Sequence, residues 1–286
     1  MKTYLGCMFF NEFDILEVHL NTMGPHVDKF IISESTTTFT GEPKPLYFDQ
    51  VKDEPRFKKF EDKLVRVVYK GIPKNKLPVR GGRGLSNAWV NENAQRNALA
   101  KALPKLADDD LLIVPDLDEI INPKILPAIL KMSKVRPGRV LHHYYMYYFN
   151  YMKGARWPGA AFCRGKDYGK GKEIEVPHDL RKKRKKWGSN RTIQHGGWHF
   201  SYFGGNPETI IYKMKSWAHN ECDKPTLTNK NILDKCLKKG LTCYTVGATP
   251  VHSKLTILPT DHDDLPEFVL NNRDKFKHHF REVERD

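Results

Sequence analysis

The stretch that decides the fold runs Leu111-Leu112-Ile113-Val114-Pro115-Asp116-Leu117-Asp118-Glu119-Ile120. Its first four residues have branched apolar side chains, a composition typical of a buried strand. Three carboxylates follow within a few positions. If the chain stays extended there, Asp116 and Asp118 point to the same side, because side chains alternate along a strand. Two carboxylates at a strand end are typical of a Mg²⁺ or Mn²⁺ site, where the ion also contacts substrate phosphates.

The segments around this stretch alternate between strand and helix patterns. Tyr4–Phe10 predicts a first strand, Ile15–Leu20 lies in a predicted helix, and Val27–Ser33 predicts a second strand. This βαβ order favours a parallel sheet with helices on its faces. The sequence also predicts a strand at Leu64–Tyr69, a helix from Ser86 to about Leu103, a helix from Pro123 to about Met132, an aromatic strand over Val140–Tyr151, a strand over Thr192–Phe203 and a helix capped by Asn206.

The composition indicates a protein that attracts anions. The 286 residues carry a formal net charge of +14, which favours polyanions, anionic membrane surfaces or phosphorylated substrates as partners. Much of this charge lies in the basic block Arg181–Lys186, which is interpreted as a solvated loop or helix end, with a polyanion site as the alternative. The aromatic run Val140–Tyr151 is either a half-buried strand or a stacking platform for sugar rings or bases.

The five cysteines are widely spaced and form no C-x-x-C pair. Their spacing indicates neither a zinc site nor a disulfide framework, and reduced thiols favour a cytoplasmic protein. The sequence begins with a strand pattern and lacks a signal-peptide pattern, and no apolar stretch reaches membrane-spanning length. We therefore expect a cytoplasmic location, with peripheral contact to an anionic membrane as the only form of membrane association.

Several stretches, taken in order, resemble glycosyltransferase family seventeen. They are Phe10-Asn11-Glu12-Phe13-Asp14, Glu34 with Thr38–Gly41 and Pro43–Phe48, Asn91-Glu92 with Gln95-Arg96-Asn97, Asp116-Leu117-Asp118-Glu119-Ile120, Gly196–Tyr202, and Lys213–Glu221. Each motif is short, but six in one order are specific. The resemblance covers about residues 7 to 221.

The resemblance implies a GT-A fold, an α/β class with a Rossmann-like sheet and flanking helices. It assigns residues 1–221 to a catalytic domain that binds a nucleotide sugar, and residues 222–286 to a C-terminal helical extension packed on it. It also implies an inverting enzyme that uses Mn²⁺ or Mg²⁺, bound at a D-x-D motif, to move a sugar from a UDP-sugar to a glycan or glycolipid hydroxyl. The sugar is N-acetylglucosamine by family analogy. Vertebrate members carry an N-terminal membrane helix that is not found in this sequence, so the acceptor stays open.

Within this resemblance, Asp118 is the first expected metal ligand, and Asp116 is expected to contact the ribose or the water shell of the metal. A further ligand in such enzymes is often a histidine late in the domain. His199 is the first candidate and His219 the second. For both histidines, an ordinary packed or surface side chain is the alternative.

Five residues are expected to bind the nucleotide sugar, namely Asn11, Glu12, Glu34, Arg96 and Asp116. The first two follow the first strand, where a helix cap is the alternative. Glu34 ends the second strand and is expected to bind uridine, as in similar folds. The Arg96 guanidinium suits a base or diphosphate, although an ion pair with Glu92, four residues earlier on a helix, also explains it.

An inverting transfer needs a base near the acceptor hydroxyl. Glu221 is the first candidate and Glu119 the second. Trp198 and Tyr202 are expected to form an aromatic wall for the acceptor, with core packing as the alternative. Lys213 either offsets diphosphate charge or lies on the helix surface.

The alternative function is a nucleic-acid-binding or polyanion-binding protein, or a metal nuclease. It rests on the net charge, the basic block and the paired carboxylates. The basic residues do not alternate with the aromatic ones, and no recognised nucleic-acid motif is present. Nucleic acid is therefore not an expected partner.

Overall fold

The protein is described by a computed structural model that covers residues 1–80, 85–219, 227–246 and 249–282. The strands are β1 (Thr3–Met8), β2 (Lys29–Ser35), β3 (Leu64–Tyr69), β4 (Val79–Arg80), β5 (Leu85–Ser86), β6 (Leu111–Val114), β7 (Glu119–Ile121), β8 (Gly138–Met146), β9 (Tyr151–Arg164), β10 (Thr192–Ile193), β11 (Gly197–Ser201), β12 (Tyr244–Val246), β13 (Thr249–Val251) and β14 (Thr256–Ile257). The helices are α1 (Phe13–Met23), α2 (Pro55–Lys58), α3 (Trp89–Ala98), α4 (Leu126–Ser133), α5 (Pro177–Arg184), α6 (Pro207–Ser216), α7 (Lys230–Lys238), α8 (Glu267–Leu270) and α9 (Arg273–Phe276).

The main sheet has the strand order β3-β2-β1-β6-β9-β8-β11-β7. Its first four strands are parallel, while β9 and β7 run antiparallel to their neighbours. A parallel block in this order resembles one half of a doubly wound sheet, a fold in which ligands bind beyond the carboxyl ends of the strands. The predicted fold class, α/β with a Rossmann-like sheet and flanking helices, is confirmed.

Strand β6 lies at the centre of the fold, and all four of its residues are buried. Leu111 and Ile113 pack into the apolar core on the α1 side of the sheet. Leu112 and Val114 point the other way and pack with Leu99, at the end of α3. Both faces of the strand are covered, which explains why its sequence is continuously apolar rather than alternating.

Most elements lie where the sequence predicts them, and Leu64–Tyr69 matches β3 residue for residue. The prediction of one strand over the aromatic run Val140–Tyr151 was wrong. The run is interrupted by a turn, where Tyr147 has a φ of 67°. Its first part belongs to β8, and its last residue begins β9, a fourteen-residue strand that the sequence did not predict. The expected cap Ser86 lies in β5, and α3 begins at Trp89 without a side-chain cap. Asn206 caps α6 as predicted, since its side chain accepts hydrogen bonds from two backbone N–H groups.

The C-terminal part contains strands as well as the predicted helices. A β12–β13 hairpin follows α7, and β14 pairs with β9 of the main sheet. Further on, Phe276 packs in the main core against Phe149, with a ring-centroid distance of 6.0 Å. Among the helices of the described ranges, none has the length and apolarity needed to cross a membrane.

The packing of Phe276 predicts that the C-terminal helices contribute to global stability. Phe276 is 1% exposed, so Phe276→Ala should lower the free energy of unfolding by about 3–5 kcal/mol, the usual cost of a cavity left by phenylalanine. Urea denaturation measures the change. Val135→Ala, at a position 68% exposed, is the control and should stay within about 0.5 kcal/mol of the original protein. A loss below about 1 kcal/mol for Phe276→Ala would contradict this role.

Candidate active site

A cavity of about 750 Å³ opens at the carboxyl ends of β1, β2 and β6. Residues that follow these strands form its floor, helices α3 and α5 form one side, and α6 with the chain after it forms another. This is the edge at which parallel sheets bind nucleotides. Asp116 and Asp118 both line the cavity. The chain between them is a turn rather than the extended segment that the sequence argument assumed, because the Glu119 N–H donates to the Asp116 carbonyl oxygen at 3.0 Å.

Asp118 is the charged centre of the cavity floor. Its Oδ1 lies 3.5 Å from Nε2 of His199, and its Oδ2 lies 3.4 Å from Nζ of Lys213. Lys213 also pairs with Oε1 of Glu12 at 2.9 Å. Burial alone would raise the pKa of Asp118, but the Lys213 ammonium and the His199 ring outweigh burial and lower this pKa to about 2. Asp118 is therefore ionised at physiological pH and available to a cation.

Strand pairing brings His199 to Asp118. Strand β11 runs antiparallel to β7, with His199 opposite Glu119, and the backbone N–H of Phe200 donates to the carbonyl oxygen of Asp118 at 2.9 Å. A Cβ at Gly197 would lie 2.1 Å from the carbonyl oxygen of Ile120. Only glycine therefore lets the two strands approach this closely at the start of β11.

Two aromatic rings fix the orientation of His199. Its imidazole stacks on Trp157 at 4.3 Å and on Tyr144 at 4.7 Å between ring centroids. Both aromatic residues also line the cavity. The sequence indicated an aromatic platform in the run that contains Tyr144, but it gave no signal for Trp157, because β9 was not predicted.

The donor set at this point fits a divalent cation. A carboxylate oxygen and an imidazole nitrogen face each other across 3.5 Å. Two neighbouring ligands of an octahedral ion at about 2.1 Å are separated by about 3 Å, so a small side-chain shift would let both bind one ion. His219, the second candidate, lines the cavity but packs against Trp89 with ring centroids 4.7 Å apart. Of the two histidines, His199 is the one that faces Asp118.

Arg96 is buried beside the cavity and holds two carboxylates. It donates to Asp116 at 2.7 Å and to Glu92 at 2.8 Å. The i,i+4 ion pair proposed from the sequence is therefore present, and the guanidinium also lines the cavity. Asp116 receives a second guanidinium, that of Arg181. Asp116 is thus held by α3 on one side and by α5 on the other.

Glu119 does not reach the cavity and is poorly placed to act as the base. The carboxylate is fully buried and accepts hydrogen bonds from Trp157 at 2.9 Å and from the Asp116 backbone at 2.9 Å. It also pairs with Arg181 at 2.5 Å and with Arg184 at 3.2 Å. Although burial raises its pKa, the two guanidinium groups hold the pKa well below the usual range. A carboxylate saturated in this way does not take up a proton readily.

The structure also corrects the expected places of other residues. Glu34 is fully buried beneath Lys44, at 3.7 Å, and accepts from the Phe48 backbone, so Lys44 rather than Glu34 lines the cavity. Asn11 lines a smaller neighbouring pocket, while Glu12 lines both. Neither caps α1 through its side chain. Glu34, which was expected to bind uridine, and Asn11, which was expected to bind the nucleotide sugar, therefore lie outside the main cavity.

The two expected acceptor residues separate onto different faces. Tyr202 lines the cavity. Trp198 points away from it, because it neighbours His199 along β11 and side chains alternate. Its indole N–H donates to Asp264 at 3.0 Å instead. The preferred base, Glu221, lies outside the described residues.

Part of the basic block lies in the cavity wall, while Lys182, Lys185 and Lys186 are exposed as expected for a solvated helix end. Arg181 and Arg184 are buried on α5, and Lys182 and Lys185 also line the cavity. In total, eight Lys or Arg side chains and four carboxylates line it, a formal excess of four positive charges. This charge suits a diphosphate. The sequence showed the block but not its partners, so its interpretation as solvated was wrong for the two arginines.

An α/β sheet with an acidic floor and a basic wall at its carboxyl edge suits a phosphorylated ligand. A model of glycosyltransferase family 17 matches residues 2–281. The chain belongs to glycosyltransferase family 17, which confirms both the resemblance found in the sequence and the glycosyltransferase class.

Related proteins agree with this assignment over a limited region. The chain is 32% identical over 114 residues to the beta-1,4-mannosyl-glycoprotein 4-beta-N-acetylglucosaminyltransferases of Homo sapiens and Rattus norvegicus. The matched region is 38% of this chain but only 20% of either relative. A structure described as a nucleotide-diphospho-sugar transferase, from Desulfovibrio desulfuricans, shares 11% identity, covers 82% of this chain and 95% of its own, and has a TM-score of 0.33. That likeness is too distant to add to the family assignment.

The burial of Glu119 predicts a large effect on stability. Glu119→Gln keeps the shape of the side chain but removes the charge that Arg181 and Arg184 share, and leaving buried charges without a partner costs about 3–5 kcal/mol. Chemical denaturation measures the loss. Glu61→Gln, at an exposed position, is the control and should have little effect. Equal stabilities of the two variants would contradict the structural role of Glu119.

Proposed function

We propose that the protein is a metal-dependent, inverting glycosyltransferase. It would move a sugar, N-acetylglucosamine by analogy with the names of its relatives, from a UDP-sugar to a hydroxyl of a glycan or glycolipid, forming a β-linkage. The observation that carries the proposal is Asp118, ionised and facing His199 on the floor of a cavity with excess positive charge.

Asp118 and His199 would hold the divalent cation, Mn²⁺ or Mg²⁺. When bound, such an ion stabilises negative charge that develops on the leaving diphosphate. The remaining work falls to side chains of this chain. Lys213 and Arg181 lie beside Asp118 and Asp116, where their charges would stabilise the phosphates and orient them. The fixed guanidinium of Arg96 would hold Asp116 in place.

The aromatic side chains of the cavity suit the apolar faces of the ligands. Trp157, Tyr144 and Tyr202 line the wall that carries His199, and rings of this kind stack on sugars and bases. A base must also take the proton of the acceptor hydroxyl in an inverting transfer. Glu119 is engaged elsewhere, so Glu221 remains the proposed base.

Nucleotide binding tests the proposed metal site directly. Isothermal titration with UDP should give Mn²⁺-dependent binding, and Asp118→Asn should weaken the metal-dependent affinity by at least about 100-fold, since even residues behind the ligands cost 10- to 100-fold. Asp53→Asn, at an exposed position, should bind as the original protein does. GDP and a short oligonucleotide serve as competing ligands. Tight oligonucleotide binding without UDP binding would overturn the proposal in favour of the nucleic-acid alternative.

Kinetics test the proposed base. Glu221→Gln should lower kcat by about 10²- to 10⁴-fold, the usual contribution of a general base, and should leave UDP affinity unchanged. UDP release from UDP-N-acetylglucosamine in the presence of acceptor measures the rate. Glu282→Gln, an exposed acid near the end of the described chain, is the control. Full activity of Glu221→Gln would exclude Glu221 as the base.

A further inference from the structure

A second cluster of metal-ligating side chains lies in the C-terminal part, apart from the cavity. Cys236 on α7, Cys243 before β12 and His252 after β13 bring one ligand atom each within 4.8 Å of one another. None of the three lines the cavity. The four cysteines of the described residues are free thiols, so both members of this pair are available as ligands.

The backbone around the cluster holds the three side chains together. The chain turns at Gly240, which has a φ of 59°. The Thr242 and Ser253 segments then clamp each other, because the Thr242 N–H donates to the Ser253 carbonyl at 2.8 Å and the Ser253 N–H donates to the Thr242 hydroxyl at 2.8 Å. This clamp sets Cys243 and His252 on adjacent segments, beside the end of α7.

The distance between the Cys236 sulfur and the His252 nitrogen fits a tetrahedral zinc ion. The Cys236 sulfur lies 3.6 Å from Nδ1 of His252. In a tetrahedral site with Zn–S of about 2.3 Å and Zn–N of about 2.0–2.1 Å, sulfur and nitrogen are separated by about 3.6 Å. Two thiolates and one imidazole are a donor set that selects zinc over magnesium and manganese. Three donors leave one position of the ion for a further ligand or a water molecule.

The two cysteines and the histidine of the cluster differ in their exposure. Cys236 and Cys243 are buried in an apolar group that includes Leu233 and Leu255, while His252 is exposed. The Nδ1 of His252 also lies 3.1 Å from the Thr242 carbonyl oxygen. Because a carbonyl oxygen only accepts hydrogen bonds, metal binding through Nδ1 replaces this hydrogen bond and leaves the proton of the neutral imidazole on Nε2.

We propose that Cys236, Cys243 and His252 bind a Zn²⁺ ion, with a water molecule or a further ligand in its fourth position. On binding, each thiol releases its proton to solvent and the neutral imidazole supplies its lone pair, so no oxidation or reduction occurs. The ion ties α7 to the β12–β13 hairpin. The same apolar group contains Tyr202 of the cavity wall and Met214 of α6, and the Cys243 N–H donates to the Tyr147 hydroxyl at 2.9 Å. The ion therefore stabilises the cavity wall that contains Tyr202, from the side that faces away from the cavity.

Metal analysis of the purified full chain tests the proposal. After dialysis, mass spectrometry of the metal content should find about one zinc per chain, because the three residues form one site. Cys236→Ser and Cys243→Ser should each lose it, and His252→Ala should reduce it. Cys163→Ser, which alters another buried thiol, and Asp118→Asn, which alters the proposed active-site metal, should retain it. Zinc retained by Cys236→Ser and Cys243→Ser, or lost equally by Asp118→Asn, would overturn the proposal.

If the variants fail to fold, a measurement on the unmodified chain still tests the zinc site. The chain refolded with Co²⁺ in place of zinc should show sulfur-to-cobalt charge-transfer absorption, which a chain without thiolate ligation lacks. Thiol alkylation before peptide mapping shows whether Cys236 and Cys243 form a disulfide instead of binding a metal. Absence of zinc and of the cobalt absorption, together with a Cys236–Cys243 disulfide, would overturn the zinc site. None of these readouts depends on UDP binding or transfer, so the two proposals fail independently.

Discussion

The buried carboxylate of Glu119 is the interaction on which the site depends. It lies one residue after Asp118 and holds Arg181 and Arg184 of α5, so a helix more than sixty residues further along the chain is fixed to the acidic turn. The same carboxylate accepts the indole N–H of Trp157. One buried negative charge thus positions the basic wall of the cavity and the ring that stacks on His199.

Charge balance explains why such a network is tolerated. A buried carboxylate is costly unless its lone pairs and charge are met, and Glu119 has two guanidinium groups, an indole and a backbone N–H. Of these two arginines, Arg181 also pairs with Asp116, which lines the cavity. The acids of the central stretch therefore have different tasks. Glu119 serves the scaffold, whereas Asp116 and Asp118 face the ligand space.

Local patterns predicted those parts of the molecule that depend on local physics. The apolar run of β6, the β3 strand and the Asn206 cap follow from side-chain chemistry within a few residues, and the carboxyl edge of a parallel sheet then places Asp118. Partners that meet only in the folded chain left no local signal. Arg181 looks solvated until Glu119 is found beneath it, and Glu34 looks like a binding residue until Lys44 covers it.

The cysteines also show that local sequence patterns miss residues that meet only in the folded chain. Their spacing excluded a zinc motif, because sequence rules recognise pairs two residues apart. The fold brings Cys236 and Cys243 together across a turn and adds His252 from the following hairpin. A ligand set assembled from separate elements is visible only after the chain has folded.

The salt bridges of Lys213 bear on the order in which ligands would bind. Its ammonium meets the charges of Glu12 and Asp118, so the chain carries its own counterion for the acidic floor. On the proposed function, an incoming divalent cation competes with this internal cation for Asp118. A diphosphate offers the displaced ammonium a new anionic partner. Cation and nucleotide would consequently bind cooperatively, because each makes room for the other. Without nucleotide, Lys213 would neutralise Asp118, and the affinity of the site for a metal ion would be low.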